Sequence, residues 1–374
     1  MSNSRHYLQS RHVAIIFLSF ALLALPLSFL QLSPAVSPVV SGGVFLAYAV
    51  LVGNTHFAIT WGLYLNSANV RYFESSAGRK ALYFGGPALI LAGMATIGVL
   101  EVPRPGMLIF VPFSLALACV DFYHVVRQSF GVLQLFKARA EARFPPGATD
   151  LDNLFFLSLL ALQALTFAGG ISHGFDGRYD ATSPLTRGVT ALAVVLFALV
   201  VRNFVSAARQ ADADRGALLT AFAYLLLQSA SALLVVYRSR LYLASLAMHY
   251  VEYHVLMAPR LFVTPLNAAS RLDRIGAMFR RHKAVFYGLL VGLSAWVSAG
   301  AILSYSGTAI RSDSSQFAWL LINLLNGIFL SHYFIESFVW KFGNPFYRQT
   351  LAPLYFGSGA APTSGAPGQM ARRS

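Results

Sequence analysis

The sequence predicts an all-α, polytopic integral membrane protein: a bundle of about ten transmembrane helices with both termini cytoplasmic. Three observations carry this expectation. Of 374 residues, 56% are hydrophobic and only 11% are charged, less than half the charged share of an ordinary soluble domain. Apolar runs of roughly 18–25 residues, long enough to cross a hydrocarbon core, recur along the whole chain. The basic residues gather in the short connectors between those runs. Helices satisfy their backbone polar groups within the segment, and runs this long and continuous do not suit barrel strands.

The segments follow in order. The first, 13–30, comes after Arg5 and Arg11 and has features of a signal peptide. Because the rest of the chain is equally apolar, it is read as a retained first span. Segment 42–65 follows the turn-rich LSPAVSPVVSGG, and EVPRPG separates 82–100 from 106–126. Segment 154–172 opens after ARFPPGATD and 188–205 after FDGRYDATSP. Such clusters of Pro, Gly and Asp break a helix and start a turn. Segments 217–237, 241–259, 284–305 and 317–340 complete the set. No internal repeat stands out.

Lys and Arg set the orientation. With the N-terminus inside, the cytoplasmic connectors are 1–12, 66–81, 127–153, 202–216, 260–283 and 341–374, which together hold 22 basic residues. The opposite side holds six: Arg104, Arg178, Arg187, Arg238, Arg240 and Arg311. This asymmetry is the positive-inside bias of membrane insertion, and it puts both ends on the cytoplasmic side. It also accounts for the net charge of +14 without a nucleic-acid partner. The connector 260–283 is the most basic and is expected to lie along the anionic membrane surface. Residues 1–345 read as a single transmembrane domain. Residues 346–374, ending in the Gly/Ala/Pro/Ser-rich GSGAAPTSGAPGQMARRS, read as a disordered cytoplasmic tail. The lone Cys119 excludes an internal disulfide and any CxxC motif.

Ionisable residues inside a span are costly and point to function. Three acids fall well within the segments, each with a histidine three or four positions away. The pairs are Asp121 with His124, His249 with Glu252, and His332 with Glu336; these spacings share a helix face. His56, in GNTHFAIT, adds a fourth imidazole. In the assigned orientation the four histidines lie at the middle or in the cytoplasmic half of their spans. In the stretch HYVEYH, His249 and Glu252 lie about 60° apart around the helix, whereas His254 is about 140° from His249 and points elsewhere.

Bland readings stand beside these. Asp121–His124 sits near a helix end, where Arg127 would pair with it structurally. Glu336 precedes Trp340 and Lys341, an interfacial anchor pattern in which it would merely meet Lys341 or a loop Arg. His56 is also explained as a core histidine bonded to Thr60. His6, His12, His173 and His282 read as solvated surface.

Imidazole together with carboxylate suits iron, manganese or zinc, and a single thiol argues against thiolate-bound copper or iron–sulfur clusters. No GxGxxG, P-loop, GxSxG or HExxH occurs, nor do the HxxxH and HxxHH clusters of membrane desaturases.

The phrases HFAITWGLYLN, DFYHVVRQSFGVLQLF and HYFIESFVWKFGNPFYR resemble those of a group of bacterial polytopic membrane proteins of unassigned activity. The corresponding phrases there read roughly HF-x-x-(S/T)-(Y/W), H-x-x-(K/R)-Q-x-(Y/F)-G and HY-x-x-(D/E)-x-x-(I/V)-W-K. The resemblance covers three short blocks. It implies a multi-pass bacterial membrane protein and draws His56, His124, Arg127, Gln128, His332, Glu336, Trp340 and Lys341 into its motifs.

The expected function is a membrane-embedded metalloenzyme, an oxygen-dependent oxidoreductase acting on a lipophilic substrate such as an acyl lipid, isoprenoid or carotenoid. His56, His124, His249, His332, Asp121, Glu252 and Glu336 would hold or support a divalent transition metal, iron above all. Arg127 and Gln128 would orient a polar head group, and an electron donor protein would serve the reaction. Two alternatives use the same residues. One is a proton-coupled transporter with the His–acid pairs as relay; the other is an electron-transfer protein with haem b between two histidines.

Overall fold

A computed structural model describes residues 10–101, 108–171, 176–264, 266–267, 270–305, 312–341 and 343–356. Arg5, His6, Arg104, His173, Arg311 and residues 357–374 lie outside the described residues. Every one of the ten apolar segments is helical. The helices are α1 Ser10–Leu32, α2 Val39–Leu65, α3 Ser67–Glu74, α4 Ala77–Val99, α5 Phe110–Ala138, α6 Ala148–Gly170 and α7 Pro184–Ala208. After them come α8 Arg215–Tyr237, α9 Tyr242–Ser245, α10 Ala247–Phe262, α11 Arg271–Arg281, α12 Lys283–Tyr305, α13 Ser312–Val339 and α14 Pro345–Phe356. Among the described residues there is no strand, only an isolated bridge between Arg178 and Arg238.

Six of these helices, α1, α2, α4, α6, α7 and α8, are long and apolar enough to cross a membrane. Exposed leucines and valines cover α7, including Leu185, Leu192, Val194 and Val195. An apolar face turned outward on this scale suits lipid and not water. The chain is therefore a multi-pass membrane protein. Polar residues close the helix starts outside the apolar runs. Asn66 accepts from the amides of Ala68 and Asn69 ahead of α3, and the Ser183 side chain caps α7 just before Pro184. Asp214 does the same for α8. Each satisfies amide groups that the first helical turn leaves open.

Two expectations change here. The eighth segment is not one helix. At its start the Ser245 hydroxyl donates to the Tyr242 carbonyl at 2.6 Å, and the chain turns at Leu246 before α10 begins. The stretch from residue 346, read as tail, is helical as far as Phe356, and this helix, α14, buries Tyr347, Leu351, Ala352 and Tyr355 along one side. Their spacing of three and four residues is that of an amphipathic helix.

The chain divides into two compact units. The first comprises residues 1–14, 46–102 and 250–374; the second comprises 15–45 and 103–249. In the first, α4 packs along α13, and α12 packs against α13 and α2. The α4–α13 approach relies on small residues, as close helix packing in lipid requires. A Cβ on Gly98 would come within 2.8 Å of the Leu320 Cα, a backbone atom that cannot step aside. Gly98→Ala is expected to destabilise the protein by about 1–3 kcal/mol through overpacking. Gly93→Ala, on the same helix with nothing within 4 Å, should be tolerated. Apparent melting temperatures in detergent test this, and equal shifts for the two variants would contradict it. In the second unit, α6 packs against α5, α7 and α8.

Three long helices carry a π-helical turn: Phe20–Ala24 in α1, Ala49–Gly53 in α2 and Ala81–Gly85 in α4. The turn in α2 is followed by six α-helical residues, Asn54–Ile59, and then by a 3-10 turn, Thr60–Leu65.

Candidate metal centre

The six-residue stretch Asn54–Ile59 is wholly buried, and its position is fixed from α12. The Ser294 hydroxyl donates to the Val50 carbonyl at 2.8 Å, inside the π-turn, where widened geometry frees carbonyl groups. Asn54 Nδ2 donates to Ser298 Oγ at 2.5 Å. Gly53 lets the ring of Tyr250 approach, since a Cβ there would lie 3.1 Å from the Tyr250 Cε2. His56 is thereby held in the interior of the first unit with no exposed surface.

Facing it is His332 of α13, equally buried. The ring centroids lie 4.7 Å apart, edge to face, and a ring nitrogen of each lies within 4.8 Å of one on the other. Tyr253 of α10 packs on both, at 4.4 Å from His56 and 5.1 Å from His332. Phe57 and Tyr333 close further sides.

A hydrogen-bonded chain fixes the chemistry of His332. Its Nδ1 lies 2.6 Å from Thr60 Oγ1, which in turn lies 2.5 Å from the Tyr253 hydroxyl. Tyr253 also hydrogen-bonds the Glu336 carboxylate. Counting protons orients the chain. With Glu336 ionised, as a bound cation would hold it, the carboxylate only accepts and Tyr253 donates to it. Thr60 then donates its one proton to the Tyr253 oxygen. Nδ1 of His332 must therefore carry the proton that reaches Thr60. This tautomer leaves the lone pair on Nε2, which faces Glu336 Oε2 at 3.6 Å. The other carboxylate oxygen, Oε1, accepts from Trp340 Nε1 at 2.9 Å. A lone pair and a carboxylate oxygen directed at one another are an arrangement that a cation satisfies. The Arg260 guanidinium is near enough to attract the Glu336 carboxylate, and Glu252, also fully buried, is near enough to repel it.

In the second unit His124 of α5 and His249 lie edge to face with centroids 5.2 Å apart, both buried. His249 stands in the first turn of α10, one turn before Glu252. Asp121, one turn before His124, is half-buried. His56 thus packs against His332 in the first unit, and His124 against His249 in the second. Arg127 is exposed and donates to Asn153 Oδ1 at 2.6 Å, and Gln128 is half-buried.

The bland readings fare differently. Thr60 is committed to His332 and Tyr253, not to His56. Glu336 is engaged by Trp340 and attracted by the charge of Arg260, from the connector 260–283, while the Lys341 ammonium lies over the Phe338 ring at 5.0 Å. His254 turns to Thr55 Oγ1, at 3.2 Å, and to the ring of Tyr287, away from the His332–Glu336 contact, as its helical angle predicts. Sequence reasoning missed Tyr253 and the relay role of Thr60. The available signal was the tyrosine directly after Glu252 in a stretch already unusually polar.

It also missed a buried ion pair in the second unit, because Asp152 was assigned to a connector. Asp152 is fully buried near the start of α6. Lys137 Nζ donates to its Oδ2 at 2.5 Å, and Gln134 Nε2 to the same oxygen at 2.9 Å. The Lys137 ammonium also lies over the Phe144 ring at 3.9 Å.

Comparison of the chain with models of known protein families, with curated proteins and with solved structures finds no match.

Proposed function

We propose that the protein is a membrane-embedded metalloenzyme, an oxygen-dependent oxidoreductase acting on a lipophilic substrate, whose metal is held by His56, His332 and Glu336. The observation that carries this reading is the buried pair of imidazoles with a carboxylate opposed to the lone pair of one of them. Two histidines and one carboxylate with open positions are the donor set of non-haem iron oxygenases. Bound there, iron would supply the activation of O₂. The chain's own residues do the rest: Thr60 and Tyr253 hold the His332 tautomer, Trp340 orients Glu336, and Phe57 and Tyr333 exclude water. Electrons would come from a separate donor protein. The haem alternative needs a porphyrin between facing imidazoles, and the rings of His56 and His332 already touch.

In this reading the chain crosses a bacterial inner membrane about ten times with both ends cytoplasmic, an orientation supported by the 22-to-6 distribution of basic residues. Arg127, exposed and bonded to Asn153, is assigned no step. The sequence also nominates His124, Asp121, His249 and Glu252 as ligands or supports, and the same assay decides their membership.

The test is metal analysis and a visible spectrum of protein purified in detergent. Stoichiometric iron without a Soret band is expected, with metal lost in His56→Ala and His332→Ala but kept in His282→Ala. A Soret band, metal-free protein, or a His332→Ala variant as metal-replete as the wild type would overturn the proposal.

A further inference from the structure

The second unit carries a basic groove in which its histidines take no part. Where α7 ends, a groove of about 440 Å³ opens between its last two turns and the connector ahead of α6. Pro145 forms one wall, and Arg202, Asn203, Val205, Ser206 and Arg209 form the other. Arg202 and Arg209 are seven residues apart, about 20° short of two full turns. Both therefore stand on one face of the helix, with Val205 and Ser206 between them.

The walls are held without the use of either arginine. Gln210 Oε1 accepts from the Arg143 amide at 2.9 Å, and its Nε2 donates to the Arg143 carbonyl at 2.5 Å. Phe144 packs edge to face on Phe204 at 5.5 Å, and the Lys137 ammonium lies over both rings. The connector is thereby clasped to the end of α7. Arg202, Ser206 and Arg209 are exposed. No Asp or Glu lines the groove. Among the described residues neither guanidinium enters an ion pair, and Lys137 is already matched by Asp152.

Guanidinium forks match the oxygens of phosphate. Val195, seven residues before Arg202 and on the same face, is exposed, as is Leu192 one turn further back. An apolar stripe toward the middle of a membrane-crossing helix, with two arginines at its end, has the polarity of a phospholipid: chains inward, charge at the rim.

We propose that this groove binds the phosphate of an anionic membrane phospholipid, held by Arg202 and Arg209, with the acyl chains along the Val195 face of α7. The site lies within the second unit and draws on neither the metal nor the reaction proposed for the first.

The experiment uses the full chain in a neutral detergent. Dioleoyl phosphatidylglycerol and dioleoyl phosphatidylcholine are titrated in turn, and bound lipid is counted by native mass spectrometry. The wild type should show a tight phosphatidylglycerol site, at least about tenfold stronger than for phosphatidylcholine. Arg202→Gln combined with Arg209→Gln should lose that site. Lysine at both positions should keep part of it, since the charge remains without the fork. Arg215→Gln, which removes an exposed charge outside the groove, should leave it intact. Equal binding of the two lipids or a double glutamine variant as selective as the wild type would overturn the inference. An equal loss in Arg215→Gln would also overturn it, by tracing the preference to surface charge in general. So would inorganic phosphate that displaces the lipid at equal concentration, which would mark the site of a free anion. Phosphatidylglycerol carrying a diazirine near its headgroup decides the matter even if the double variant does not fold. It should label wild-type peptides within 143–145 or 202–209, and labelling confined to other peptides would sink the site.

Discussion

Thr60→Val is expected to lower metal affinity by about 10- to 100-fold, the usual effect of losing a residue that orients a ligand, with helix content unchanged. Valine has nearly the shape of threonine, so packing among His56, Tyr253 and His332 is retained. What disappears is the oxygen that accepts from His332 Nδ1 at 2.6 Å. Without it the imidazole is free to take the other tautomer, with its proton on the nitrogen that faces Glu336. The Tyr253 hydroxyl loses its donor as well but keeps Glu336. Thr60→Ser, which restores the oxygen, should recover most of the affinity. Metal retained after dialysis against graded chelator measures the effect. A valine variant as tight as the wild type would show that this bond does not orient the ligand.

Asp152→Ala is expected to destabilise the protein by about 3–5 kcal/mol, because removing one member of a buried ion pair strands the other. Lys137 is 5% exposed and Asp152 not at all, so water cannot take over the lost partner. The neighbouring Phe144 ring offers the ammonium an attractive face, but a cation–π contact is worth only about 2 kcal/mol even when desolvated. The double variant Lys137→Met with Asp152→Leu removes both charges at similar volume. It should recover much or all of the stability, since well-packed apolar replacements of such pairs are often neutral or better. Apparent melting temperatures of the two single variants and the double variant decide this. A double variant as unstable as Asp152→Ala would show that volume, not charge, sets the cost.

Much of the fold was legible because its signal is local. Each apolar run forms its own backbone hydrogen bonds, so composition and length place the helices. Boundaries failed where side chains compete with the backbone, as at Ser245, or where an amphipathic end follows a polar break, as in Pro345–Phe356. The candidate site was legible as residue types but not as partners. The spacing of His332 and Glu336 is written within one helix turn. The bond from Thr60 to His332 joins residues 272 positions apart, and nothing local encodes it. Asp152 was passed over for a related reason. It stands among the turn-forming residues that open α6, and only tertiary packing shows that this end is covered.

The π-turn at Ala49–Gly53 has a consequence for how such a centre arises. A π-turn holds one residue more than the α-turn it replaces. The phase of α2 before the turn is therefore offset from the phase after it by about 100°. Without that extra residue, the stripe of α2 that meets the remainder of the helix would carry different side chains, and His56 would rotate away from His332. The imidazole pair thus depends on the length of the chain before it as much as on the identity of its residues. A lineage could acquire or lose such a centre through one codon gained or lost in 49–53, with every histidine codon unchanged.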